Sequence, residues 1–244
     1  MKILRNIVIA VVVVVVVAVA VVEIGGRPLL QSYIRGQVVK ALPGSDPTVS
    51  VGAGSLTLQA LSGHLDSVDV RVPDATLGTQ HSDLSFAATD VPFDSSKAIG
   101  DVRIRVEVDE AAVQQLVRGL DGFEHASVTI DQDVSIGSTF ALFGAAIPFA
   151  IGVTPKADSG DLLLTPTSVT LNGATVALSE LKTVPLASNI VSLVKPQRVC
   201  VKQYLPKVIS FTGVRVVGNK LQLTAAGKNI ALSTTDFSAV GTCS

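Results

Sequence analysis

The stretch DVRIRVEVDEAAVQQLVRGL, residues 101–120, decides how the rest of the chain is read. Its first half alternates strictly: Val102, Ile104, Val106 and Val108 fall on one side, and Arg103, Arg105 and Glu107 on the other. Successive side chains of a strand point to opposite faces, so this pattern specifies a strand with one apolar and one wetted face, as in antiparallel sheets. The period then changes. Asp109 is a helix-capping residue, and Val113, Leu116, Val117 and Leu120 recur at steps of three and four in a short helix that ends at Gly119 or Gly122. A one-sided strand followed by a short amphipathic helix is the unit from which we build outward.

Downstream, the strand pattern resumes through Val128 and Ile130, and upstream Val68, Val70 and Val72 alternate with Ser67, Asp69 and Arg71. Residues 134–155 carry no charged side chain, and Phe140, Leu142, Phe143, Ile147, Phe149, Ile151 and Val153 crowd them. Gly137, Gly144, Pro148, Gly152 and Pro155 break any helix there, so two adjacent strands apolar on both faces fit better than a transmembrane helix. Such strands suit either a covered central position or the lining of a dry cavity. Asp158-Ser159-Gly160-Asp161 and Leu171-Asn172-Gly173-Ala174 read as hairpin turns, as does Gly218-Asn219, with a last turn at Gly227. Leu186 to Val194 reads as a short helix closed by Pro196. Ahead of all this, Leu30, Tyr33, Ile34, Val38, Ala41 and Leu42 form the apolar side of a helix that Pro28 opens and Pro43-Gly44 stops. The chain reads as two β-rich halves, each carrying a helix, with no strong linker inside residues 25–244.

The N-terminus belongs to another class. From Ile7 to Val22 no side chain is polar, Lys2 and Arg5 precede the run, and Glu23 follows it. Sixteen helical residues span about 24 Å against roughly 30 Å of bilayer hydrocarbon, so residues 1–24 read equally as a signal sequence or a retained anchor. Either places the remainder outside the cytoplasm, held at a membrane or released from it. Cys200 and Cys243 are the only cysteines, and an even count in an exported chain reads as a disulfide. Pairing them closes a loop of about 44 residues, worth about 4 kcal/mol in the chain-entropy account, and ties down the C-terminus.

Reactive motifs are scarce. His64, His81 and His125 stand among loop-like residues with no helical or hairpin spacing, which suits solvated histidines rather than metal ligands or bases. Asp131 and Asp133 read as one wetted strand face, and Gly52-Ala53-Gly54 lacks the third glycine and the helix of a dinucleotide loop. A net charge of −1 without a basic tract argues against nucleic acid as a partner. These readings lead to no enzyme, no metal and no cofactor.

Five segments stand out together: Gly54-Ser55-Leu56, the run from Leu58 to Val70 (LQALSGHLDSVDV), Val106-Glu107-Val108-Asp109-Glu110-Ala111, Cys200-Val201-Lys202-Gln203-Tyr204-Leu205-Pro206 and the terminal Gly241-Thr242-Cys243. They resemble the LmeA-like phospholipid-binding family of the actinobacterial cell envelope. The likeness spans most of residues 27–243. It implies an α+β, TULIP-like fold, in which a curved antiparallel sheet wraps a helix and leaves an apolar tunnel, as one domain over residues 25–244. The implied function is extracytoplasmic phospholipid binding, as a carrier or accessory factor in envelope lipid or lipoglycan (mannan) assembly. Acyl chains need apolar contact area rather than a spaced motif, at about 0.8 kcal/mol per buried methylene. The candidate lining residues are Leu30, Tyr33, Ile34, Phe140, Leu142, Phe143, Ile147 and Phe149, with Arg103, Arg105 and Lys156 available to a head group. A packed, non-enzymatic adaptor that recruits envelope partners is the alternative, and an envelope enzyme with an unfamiliar site is a third reading.

Overall fold

The computed structural model describes residues 26–77, 80–94, 96–118, 124–142, 145–171, 173–181, 195–231 and 239–242. The apolar N-terminal run, Phe143, Cys243 and the helix expected over Leu186 to Val194 lie outside these residues. The chain divides into two compact units, residues 1–107 with 201–212 and 224–244, and residues 108–200 with 213–223.

The first unit opens with helix α1, Gly26–Ala41, one turn earlier than the spacing places it. Leu30, Ile34 and Val38 recur at steps of four and are the buried stripe, and Leu42 continues it just past the last turn. The helix packs beside strand β1, Thr48–Val51. Helix α2, Leu56–Ser62, follows and is the element the periodicity did not resolve. Its ends were nonetheless written in the chain. Ser55 accepts a hydrogen bond from Leu58 N as N-cap, and Gly63 closes the helix at φ 77°, a left-handed conformation natural to glycine. Strands β2 (His64–Leu77), β3 (Gln80–Pro92) and β4 (Ala98–Asp109) come next. The sheet runs in the order β1-β2-β3-β4-β12-β11, where β11 is Ser210–Val217 and β12 is Lys220–Ala231. Val68, Val70, Val72, Leu84, Phe86, Val102, Ile104 and Val106 are buried, as period-two alternation requires of one covered face.

Gly227 corrects the expected final turn, because it lies inside β12. A Cβ there would come within 2.5 Å of the Val208 carbonyl oxygen and 2.6 Å of Ile230 Cδ1. The glycine serves close backbone approach rather than reversal of the chain.

The second unit holds helix α3 (Glu110–Arg118), whose Ala112 N donates to Asp109 Oδ1 at 2.8 Å, as expected of a capping aspartate. Its sheet has the order β10-β8-β7-β6-β5, with β9 also paired to β8. The strands are β5 (Ser127–Ile130), β6 (Val134–Leu142), β7 (Ala145–Asp158), β8 (Asp161–Leu171), β9 (Ala174–Ala177) and β10 (Gln197–Val199). A single-turn helix α4, Leu178–Leu181, follows β9. The charge-free segment is therefore an antiparallel hairpin, with Val134 opposite Val153 and Phe140 opposite Ile147. Asp158 pairs with Asp161 across a turn in which Ser159 and Gly160 have φ 53° and 83°, and Leu171 pairs with Ala174. Asp131 and Asp133 lie in the turn between β5 and β6 rather than on a strand, where Asp133 accepts from Thr154 Oγ1 at 2.9 Å.

Arg198 of β10 fastens that edge strand to the β7–β8 turn. Its guanidinium donates to the Asp158 carboxylate and, at 3.2 Å, to the Asp158 carbonyl. The hydrogen bond from Arg198, then that from Ser159, holds the Asp158 carboxyl below its usual range. A carboxyl lowered in the folded state stabilises it above its unfolded pKa and loses that contribution as pH falls through the lowered value. The protection factors of the Arg198 and Val199 amides, taken relative to their intrinsic exchange rates, should therefore fall on acidification through the carboxylate range. Arg198→Gln should exchange fast already at neutral pH and show little further change.

Candidate lipid-binding site

The sequence candidates separate into two groups. In the first unit Leu30 and Ile34 are buried and Tyr33 is half-buried, so one stripe of α1 brings three of them together. In the second unit the register sets Phe140 opposite Ile147, Leu142 opposite Ala145 and Phe149 opposite Ser138. At the start of the same hairpin, Val134 and Val153 belong to a core with Val113, Val128, Ile130 and Leu221, against which Ile136 and Ile151 pack.

Phe149 departs from the expectation of two uniformly dry faces. It borders a cleft of about 340 Å³ together with His125, Ser127, Ser138, Thr139 and Thr170. Hydroxyls make this end of the hairpin polar, because Ser135, Ser138 and Thr139 interrupt the apolar run without carrying charge.

Two of the three histidines belong to strands rather than loops. His64 opens β2, with Nδ1 3.3 Å from the Ser62 carbonyl oxygen, and His81 lies in β3. His81 Nδ1 is 3.0 Å from Asp74 Oδ1, with the two side chains 61% and 79% exposed. An open pair of this kind lacks the enclosure and nucleophile of an acid–base site. Among the described residues no group of His, Cys, Asp and Glu could hold a metal ion. No helix among them is long and apolar enough to cross a membrane.

Cys200 is disulfide-bonded. The chain end returns to its neighbourhood, since Lys207 N donates to the Ala239 carbonyl at 2.9 Å, Gly241 N donates to the Leu205 carbonyl at 3.2 Å, and Pro206 bridges to Val240.

Antiparallel sheets and helices enclosing apolar interiors suit a protein that holds a ligand by contact area. Comparison with protein families gives this class its particular form: the profile of the LmeA-like phospholipid-binding family matches residues 21–226, and the chain belongs to that family. No curated protein and no solved structure matches the chain.

Proposed function

We propose that the protein is an extracytoplasmic phospholipid-binding component of the cell envelope, which holds a lipid in an apolar, TULIP-like tunnel and carries or presents it without chemistry. Assembly of envelope lipids or lipoglycans such as mannans is the setting in which it acts as carrier or accessory factor. Membership of a phospholipid-binding family over residues 21–226 carries the reading. The buried α1 stripe and the Phe140–Phe149 hairpin support it as apolar surfaces on which acyl chains are held at about 0.8 kcal/mol per methylene. Cys200 pairs with Cys243 in this reading and secures the C-terminus.

The membrane is the second partner. Leu58 and Leu61 stand one turn apart on α2, 67% and 80% exposed. Arg27, at the start of α1, donates from Nη2 to the Gly54 carbonyl at 2.5 Å, just before the α2 cap. Only four residues separate Val22, the end of the apolar run, from Arg27, a reach over five chain steps of at most about 17 Å. With that run embedded in a bilayer, α2 stays close to the surface, and its two leucines enter the interface where a lipid would be collected.

The test is native mass spectrometry with organic extraction on the full chain, purified from a membrane-containing host in mild detergent. A bound mass extracting as phospholipid is the expected result. A clean apo-protein that also fails to take up added phospholipid would leave the packed adaptor as the better reading.

A further inference from the structure

The polar face of the first sheet has a use that an acyl-chain site does not account for. On β2, β3 and β4 the buried residues face one way, which leaves Asp69 and Arg71, Ser85 and Ala87, and Arg103 and Arg105 on the other side. The register sets Arg71 opposite Ser85 and Asp69 opposite Ala87, with β3 lying between β2 and β4. The middle strand is therefore small where its two neighbours carry long cationic side chains. The result is a trough.

Its narrower part encloses about 210 Å³ between Asp69, Arg71, Ser85, Phe86, Ala87, Arg103 and Arg105. Three arginines and one aspartate are among its lining residues. The trough continues into a space of about 400 Å³ that shares Arg71, Ser85 and Arg105 and adds Asp83 and Glu107. Arg105 Nε is buried with no hydrogen-bond partner, a costly state for a charged donor.

We propose that this trough binds a phosphate-class oxyanion, either a soluble phosphate ester or the phosphate of a lipid head group. The Arg105 guanidinium lies along the trough with Arg71 and Arg103 closing on the anion from the two flanking strands, and the Ser85 hydroxyl supplies a neutral donor. Guanidinium forks match the tetrahedral oxygens of phosphate and keep their charge at any accessible pH. Asp69 on the rim opposes a second negative charge and favours a diester or singly charged monoester over a polyphosphate. The apolar residues of the same strands lie on the opposite side of the sheet, so this site is separate from an acyl-chain cavity and does not depend on the lipid reading.

The experiment uses the full chain in phosphate-free maltoside micelles and follows the Arg105 Nε–H resonance, assigned by its loss in Arg105→Gln. Glycerol phosphate should shift it saturably, and Arg71→Gln should weaken the response about tenfold or more while the melting temperature holds. A response to the soluble ester identifies a soluble ligand. A response only when phosphatidylglycerol enters the micelle identifies a head group. No response to either, or one equal in Arg71→Gln, overturns the proposal.

Discussion

Ile34→Ala should lower the melting temperature by on the order of 10 °C. Ile34 is 1% exposed in the middle of the α1 stripe, between Leu30 and Val38. Removing three buried carbons from a packed site costs about 2–5 kcal/mol, and each kcal/mol moves the transition of a chain this size by about 2–4 °C. The better helix propensity of alanine returns only about 0.4 kcal/mol. Leu29→Ala, on the exposed side of the same helix, should change stability by no more than about 0.5 kcal/mol. Thermal scans of both variants check the assignment of the buried face. Added phospholipid extends the measurement to function. A ligand at a hundred times its Kd stabilises the folded state by about 2.7 kcal/mol. An equal rise in wild type and Ile34→Ala makes Ile34 part of the core alone, while a smaller rise in the variant puts it on the lipid.

The second large effect concerns α2. Leu58→Asp with Leu61→Asp should slow loading of phospholipid from donor vesicles by about 100-fold. Each leucine entering an interface contributes about 1.5 kcal/mol, and 3 kcal/mol together is about a factor of 100. Because both side chains face outward, the fold should keep its melting temperature. The chain has no tryptophan, so Leu61→Trp makes a single reporter. In vesicles with brominated acyl chains its emission should be largely quenched, while His81→Trp, on exposed β3, should not be. Unquenched emission at position 61 and unchanged loading in the double aspartate variant would place the α2 leucines in water.

Local periodicity was a sound guide wherever one face of an element is buried. The Val102–Val108 alternation, the Asp109 cap, the α1 stripe and the turns at Ser159-Gly160 and Gly173 all rest on interactions between residues close in sequence. Such signals weaken where a residue answers to a distant neighbour. Gly227 has the composition of a turn but sits in a strand, because the Val208 carbonyl and the Ile230 side chain leave no room for a Cβ. Asp131 and Asp133 look like alternate positions of a strand, yet the chain reverses between β5 and β6 there. Helix α2 could have been read from Ser55 and Gly63, which are an N-cap and a left-handed C-cap separated by seven helical residues.

By itself, then, the chain determined most of its elements, its charge-free segment and the family to which it belongs. These depend on local hydrogen bonding, backbone preference and the plain count of apolar residues. The tertiary structure decided which of those residues meet. Leu30 and Ile34 share one unit, and Phe140, Ile147 and Phe149 another. Arg71 and Arg105, separated by the whole of β3, come to border one trough. Pairing of strands distant in sequence is set by the burial of the entire sheet face, and no window of the sequence contains that energy.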